Sequence, residues 1–401
     1  MSQKKPEGKG KTDLAGAGIN TQLSHLGRDS HAFHGFVNPP VVRASTVLFP
    51  NVEAMENRAG MRFTYGLMNT PTIEALSQTI NALEEAAGTV LVPSGLAAVT
   101  LPLLAVARPG LHVLVPDNVY WPTRRFCDET LARLGMHTTY YDPLIGAGIV
   151  DLMRPDGGSV LFTEAPGSNT FEMPDLNAFL AAAKAKGAMT MIDNTWATPL
   201  FYKPIPEGFD FSIQAGTKYF AGHSDVLIGS ISASERAWPM LSGTHLNLGL
   251  QAGTEEIFLT LRGIRTMRVR LDQHERAALE MAHWLEGQPF VARVMHPALP
   301  SDPGHGLWRT LFKGRASGLF GFELAGDKAQ ARTLLNTLNL FGLGYSWGGF
   351  ESLAVLADLG ATRTARPWTG GPVIRLQIGL EDVADLKADI LAGARVAGFP
   401  V

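Results

Sequence analysis

Three short stretches of the chain hold residue types that can do chemistry. "SIQAGTKYFAGHSD" (residues 212–225) sets Lys218 directly behind an apolar run. Lysine is almost never fully buried unless it is paired or chemically used. With an ordinary pKa of about 10.4, its amine must be desolvated or covalently altered before it can act as a nucleophile or base. "MTMIDNTWATP" ends a second apolar run in Asp193. A carboxylate there is costly unless paired. It either caps the following turn or faces a cationic ligand atom, such as a protonated pyridine nitrogen. An ion pair of that kind is worth at most about 4 kcal/mol at an effective dielectric near ~20, enough to move a pKa by about 3 units. "PSGLAA" sets Ser94 and Gly95 at the start of a helix, where free backbone N–H groups and the positive helix end suit a phosphate.

An amine for an aldehyde, a carboxylate for a ring nitrogen and a cradle for a phosphate are the three handles of pyridoxal 5'-phosphate (PLP). Tyr120, just past "HVLVPD", adds a ring able to stack on the pyridine. Singly, each feature has a plainer reading: a snorkelling surface lysine, a turn-capping Asp193, a tight turn at Ser94-Gly95, and Tyr120 packed beside Trp121. It is their combination that points to PLP. No G-x-x-x-x-G-K-[ST] run occurs, nor G-x-G-x-x-G behind a strand, so nucleotide and nicotinamide chemistry have little support.

The elements that must position these residues alternate. "TVLVPSG", "HVLVPD", "HTTYYD", "SVLFTE", "AMTMIDN", "FSIQAGT" and "VLIGSISA" read as strands. Between the earlier ones lie "LAAVTLPLLAVARPG", "PTRRFCDETLARLG" and "DLNAFLAAAKAKG", which read as helices; Asp175 is a plausible N-cap and Gly187 a stop for the last. Such alternation predicts an α/β fold with a mostly parallel sheet covered on both faces. Ligands then bind beyond the carboxyl ends of the strands, which makes Ser94-Gly95, Asp117, Glu164, Asp193-Asn194 and Thr217-Lys218 the residues to watch. "TEEIFLTLRGIRTMRVRLDQHERAALEMAHWLEG" reads as a long helical connector into a smaller α+β domain with a mainly antiparallel sheet. The expected division is an arm over 1–65, a large domain over 66–255 and the connector with the C-terminal domain over 256–401.

Composition narrows the class. Of 401 residues, 45% are hydrophobic and 18% charged, the profile of a globular chain with a large core. The net charge of -3 argues against general nucleic-acid binding. No apolar run is long enough to predict a membrane helix, and no secretory signal follows the basic, glycine-rich start, whose first dozen residues are expected to be disordered. The single cysteine, Cys127, forbids an internal disulfide and fits a reducing cytoplasm. Asp128 and Glu129 beside it would raise a thiol's pKa and disfavour a catalytic role.

"SGLAA", "DNVYWPTRRFCD", "IDNTWATPLFYKP" and "SIQAGTKYFAGHSDVLIG" resemble the Cys/Met-metabolism branch of the fold-type-I PLP enzymes, in order and over nearly the whole chain after residue 20. The resemblance implies an aspartate aminotransferase-like fold. It also implies a PLP Schiff base on Lys218, which later shuttles protons, with Asp193 holding the pyridinium and Tyr120 on the ring. Gly95, Leu96 and Thr217 would bind the phosphate, and Arg375 in "PVIRLQIGLED" the substrate α-carboxylate. In "FGLGYSWGGFESL", Ser346 and Trp347 would border that carboxylate site and Tyr345 the substrate pocket. Ser-Trp-Gly-Gly after a tyrosine looks like the cystathionine β-lyases of the branch; the γ-type members more often carry Ser-Leu-Gly-Gly.

"FTYGLMNTPT" is similar to the segment that enters a neighbouring subunit's site, so Tyr65 would serve a second copy, within a homotetramer. Leu67 and Ala215 stand where the family usually has a phosphate-binding arginine and serine, which thins the phosphate grip; Arg62 is one candidate replacement. The implied reaction is PLP-dependent α,β-elimination of an amino-acid thioether, L-cystathionine, to homocysteine, pyruvate and ammonia. The rivals are a γ-type relative, a broader cysteine-conjugate β-lyase, and a non-catalytic binding protein of the same fold.

Overall fold

The computed structural model describes residues 13–360 and 362–401; the expected disordered start of the chain lies outside them. The first sheet contains β1 (Gly88–Val92), β2 (His112–Pro116), β3 (His137–Tyr141), β4 (Ser159–Glu164), β5 (Met189–Asp193), β6 (Phe211–Gln214) and β7 (Gly229–Ala233). Their spatial order is β1-β7-β6-β5-β4-β2-β3. From β3 across to β6 every pairing is parallel, whereas β7 runs antiparallel to both of its neighbours. β1, β2, β4, β6 and β7 are buried along their whole length. That is why they read as unbroken apolar runs rather than as alternating ones.

Local chemistry starts and stops the covering helices. In the helix Pro71–Glu84, the Thr70 hydroxyl accepts from the Ile73 N–H at 3.2 Å and proline takes the first turn. The helix Leu176–Lys186 begins on Asp175, whose carboxylate accepts from the Ala178 N–H at 3.0 Å, and ends on Gly187 at φ +68°. Asp175 and Gly187 are the caps that the sequence suggests.

The expected single connector is two helices, Thr254–Ile264 and Met267–Glu286, broken at Arg265 and Thr266. The cause is tertiary. Gly263 lies so close to the turn after β6 that a Cβ there would sit 2.3 Å from the Ala221 carbonyl oxygen and 2.4 Å from that of Phe220. Arg270 then donates to the carbonyls of Tyr219 and Gly263, each at 2.8 Å. The helical path bends to fit this contact.

The second sheet holds β8 (Val291–Met295), β9 (Leu319–Leu324), β10 (Gly342–Leu343), β11 (Leu353–Ala357) and β12 (Val373–Gln377), in the order β10-β11-β12-β9-β8. It is antiparallel apart from the short β10–β11 pair. Its own core gathers Ala278, Met281, Leu285, Phe320, Phe322, Leu334 and Ile390.

Asp117, just past β2, ties the two sheets together. Its buried carboxylate accepts from the backbone N–H groups of Thr364, Ala365 and Arg366 at 2.8, 2.9 and 2.8 Å, and from the Arg124 guanidinium at 2.6 Å. These bonds hold its carboxyl below the usual range against the opposing effect of burial. The clamped segment lies between β11 and β12, so a strand end of the first sheet fixes a loop of the second. Among the described residues no helix is long and apolar enough to cross a membrane.

Candidate active site

The carboxyl edge of the first sheet carries the candidate site. β4 and β5 end side by side in Glu164 and Asp193, which are register partners. Asp193 Oδ1 accepts from the Thr195 N–H at 3.0 Å and from the Thr195 hydroxyl at 2.5 Å. That hydroxyl in turn accepts from the Ala215 N–H at 2.9 Å, so the position of Asp193 is linked to the start of the next turn. Burial raises the Asp193 carboxyl, while the Thr195 bonds and the Lys218 charge oppose the rise.

Lys218 is in a turn rather than at a strand end, because β6 stops at Gln214. Lys218 N–H donates to the Ala215 carbonyl, and Ala221 N–H to the Gly216 carbonyl, at 3.0 and 2.9 Å. Gly216 allows this turn against Ile228, whose Cγ2 a Cβ would approach to 2.9 Å. The Lys218 amine donates to the Ser346 hydroxyl at 2.8 Å and lies 5.3 Å from the centre of the Trp347 ring. Its pKa is drawn down to about 8, chiefly by burial and then by the Arg375 charge, with Asp193 acting in the opposite sense. His223, in the following turn, has Nδ1 2.6 Å from the Ala221 carbonyl and serves that turn.

The loop carrying Ser346 is pressed onto the lysine. Gly348 has φ +82°, and a Cβ on it would stand 3.0 to 3.1 Å from the Lys218 backbone. Glu351 accepts from the Ser224 hydroxyl at 2.5 Å, fastening the same loop further along. Arg375 extends from β12, and its guanidinium donates to the Tyr345 carbonyl at 2.7 Å. Neither Glu381 nor Asp382 pairs with it: Glu381 is held by the N–H and hydroxyl of Ser352. Burial draws Arg375 down to about 10. Among the described residues it makes no ion pair. The Tyr345 side chain is 88% exposed.

Gly95 opens the helix Gly95–Ala105, with Leu96 next, and the Ser94 hydroxyl accepts from the Ala97 N–H at 3.1 Å. A Cβ on Gly95 would meet the Cβ of Ala215 at 2.6 Å, so the helix start abuts the lysine turn. Thr217 spends its hydroxyl proton on the Ile228 carbonyl at 3.2 Å and accepts from the Ile228 N–H at 3.0 Å. Tyr120 follows the β2 loop; its N–H donates to Glu164 at 2.8 Å, and its ring is 46% exposed. Burial, followed by Asp193 and Glu164, raises its phenol above the usual range.

Tyr65 stands apart. It bridges Thr46, and the Ser45 hydroxyl lies 3.4 Å from its own. Leu67 turns toward Gly249, and Arg62 is committed to Glu74, at 2.9 Å from Nε to Oε2.

The donor set fits PLP. The Lys218 amine, the Asp193 carboxyl, the Arg375 guanidinium without an ion-pair partner and the start of the helix Gly95–Ala105 lie at this edge with half-exposed Tyr120, and among the described residues no cluster suits a metal ion. The family model for the Cys/Met metabolism PLP-dependent enzymes matches residues 20–395. The chain belongs to that family. Its cofactor is PLP, as in the family, and the fold is fold-type I.

Similar proteins span the same length. A curated protein of Rhizobium johnstonii, provisionally named a cystathionine β-lyase, is 55% identical, covering 96% of this chain and 98% of its own. The Escherichia coli cystathionine β-lyase MetC is 41% identical over 95% and 99% of the two chains. Among solved structures, cystathionine γ-synthase from Xanthomonas oryzae pv. oryzae in complex with aminoacrylate and cysteine superposes with a TM-score of 0.87. It shares 31% identity, over 95% of this chain and 98% of that one.

Glu164 is the residue that sequence reading named only as a strand end. Its one visible signal is that "SVLFTE" and "MTMID" both finish in acids at the same edge.

Proposed function

We propose that this chain is a carbon–sulfur β-lyase that cleaves the Cβ–S bond of L-cystathionine. The observation that carries the reading is the convergence of Lys218 and Arg375 on one loop, through Ser346 and the Tyr345 carbonyl, with Asp193 close enough to act on the lysine's charge. The full-length likeness to proteins named cystathionine β-lyase selects this reaction among those of the family. Bound here, PLP supplies an electrophilic aldehyde carbon and a ring that withdraws electrons from the α-carbon of an attached amino acid.

Asp193 holds the positive charge at the ring nitrogen. Arg375, free of any carboxylate, receives the substrate α-carboxylate in two parallel hydrogen bonds, with Ser346 and Trp347 along its border and Tyr345 at the pocket mouth. Lys218 in its neutral form takes the proton from the α-carbon; a pKa drawn down to about 8 makes that form accessible near neutral pH. The Cβ–S electron pair leaves with sulfur, and the thiolate gains a proton from Lys218 or from the Tyr120 phenol. Water completes the balance, giving homocysteine, pyruvate and ammonia. Gly95, Leu96 and the Thr217 turn line the phosphate end.

Tyr65 serves a second copy in this reading, within a homotetramer. Support comes from the arm it belongs to, where Phe36, Leu48 and Val52 are left 71%, 87% and 63% exposed on the single chain.

The test is product analysis on the holoenzyme given L-cystathionine. Pyruvate with homocysteine is expected; 2-oxobutyrate with cysteine identifies a γ-type enzyme instead, and no product from cystathionine or from other cysteine conjugates identifies a binding protein. In Lys218→Ala, turnover should fall by at least about a thousandfold, as for loss of an acid–base and nucleophilic group. Full turnover in that variant would sink the mechanism.

A further inference from the structure

The mechanism gives no task to one buried acid at the strand edge that carries the candidate site. Glu164 is 5% exposed and sits at the end of β4, beside Asp193 on β5. Its Oε1 accepts from the Tyr120 N–H at 2.8 Å, and its Oε2 from the Ser168 hydroxyl at 2.9 Å. The two loops it touches are also joined directly. Ser168 N–H donates to the Asn118 carbonyl at 3.1 Å, and a Cβ on Gly167 would fall 1.9 Å from Asn118 Nδ2. Asn118 donates onward to Glu172 at 2.8 Å.

Among the described residues the Tyr120 side chain makes no hydrogen bond, so its backbone fixes it; its carbonyl accepts from the Thr123 N–H at 2.9 Å. That backbone enters the short helix Trp121–Phe126 with Tyr120 as the preceding residue. Among the described residues its N–H is anchored by Glu164 alone. A buried carboxyl group with two good donors is costly to bury and rigid once satisfied.

We infer that Glu164 is a positioning residue: by holding the Tyr120 amide against the end of β4, it sets the ring of Tyr120 at a fixed height and tilt over the PLP ring that Asp193 and Lys218 engage. The inference goes beyond the proposed reaction, resting only on the family's cofactor and on Tyr120 lying against its ring. What the residue must offer is an acceptor oxygen toward Tyr120 and a partner for Ser168. Glutamine keeps both, because its carbonyl accepts from Tyr120 and its amide donates to the serine hydroxyl. Alanine keeps neither.

The test uses holoenzyme of Glu164→Gln, Glu164→Ala and Ser168→Ala, with Tyr120→Phe as reference. It reads the visible circular dichroism of the bound cofactor, normalised to cofactor content, and kcat and KM with L-cystathionine. Glu164→Gln should match the natural enzyme in dichroism and stay within about threefold in kcat. Glu164→Ala should lose at least half of the dichroic signal and about tenfold in kcat, the loss expected for one buried hydrogen bond, while KM changes little. Equal values for the natural enzyme, Glu164→Gln and Glu164→Ala overturn the inference. So does equal damage in Glu164→Gln and Glu164→Ala, which would make charge rather than anchoring the requirement. If Glu164→Ala fails to fold, Ser168→Ala decides: a weakened dichroic band supports the anchor, and an unchanged one overturns it. The dichroism needs no substrate, so it stands even if cystathionine proves not to be cleaved.

Discussion

The Lys218 amine and the Ser346 hydroxyl meet at 2.8 Å across 128 residues of chain, one from a turn of the first sheet and the other from a loop of the second. The Lys218 amine is thus held by a partner that only the docking of both sheets can supply. Gly348 makes that contact possible, since it combines φ +82° with backbone against backbone. Gly348→Ala should lower kcat by tenfold or more, with a stability loss on the order of 1–3 kcal/mol for a side chain forced into the left-handed region. Steady-state kinetics with a urea melt of the same sample checks this. Unchanged kinetics would mean that the loop does not position the lysine.

Among the described residues, the partly buried Arg375 guanidinium has a carbonyl as its one hydrogen-bond partner and no ion pair. Arg375→Lys keeps the charge and loses the paired donors. Its KM should rise tenfold to a hundredfold, matching about 1.5–3 kcal/mol for a hydrogen bond to a charged group, with a smaller change in kcat. A KM equal to that of the natural enzyme would remove Arg375 from the carboxylate site.

Asp117 collects three backbone donors and Arg124 in a place without solvent. Replacement by alanine leaves those donors and the guanidinium stranded. Asp117→Ala should cost about 3–5 kcal/mol, as breaking one side of a buried ion pair does. Chemical denaturation measures the loss, and a cost near zero would show that the 364–366 segment finds other partners.

Glu84 gives a pH dependence with a definite sign. It is fully buried under the sheet, where Ser212 and Gln214 donate to it at 3.0 and 3.1 Å, and burial raises its pKa from 4.5 to about 7. The folded chain therefore binds this proton more tightly than the unfolded one. Its contribution is complete below the unfolded pKa and is lost as pH rises through the folded value. Glu84→Gln removes the dependence. The stability of the variant relative to the natural chain should grow between about pH 5 and about pH 8, by up to the order of 3 kcal/mol. Urea midpoints at the two ends measure it; a constant difference would contradict the raised pKa.

Much of this was legible beforehand because buried parallel strands write themselves as apolar runs, and the residues ending them announce the ligand edge. Asp193 and Glu164 are visible in this way. Lys218 is visible too, but its place in a turn is not, since nothing in "FSIQAGT" marks that pairing stops at Gln214. The break at Arg265 and Thr266 escapes the helical pattern because its cause, Gly263 against the carbonyls of Phe220 and Ala221, is a contact between distant segments. The anchoring of Tyr120 by Glu164 is hidden for the same reason: "SVLFTE" does not say which loop its acid will face.

The strand order has a consequence for how the chain is made. β1 lies at the edge of its sheet and pairs with β7 alone, so Gly88 meets Ala233 and Val92 meets Gly229. On the ribosome the first strand of this sheet emerges long before its sole neighbour exists. For all that interval "GTVLV" is an apolar edge with unsatisfied backbone groups, the kind of segment that recruits other chains. A transcript cut short before Gly229 would release a polypeptide with most of its parallel strands made and its first one left waiting for a neighbour.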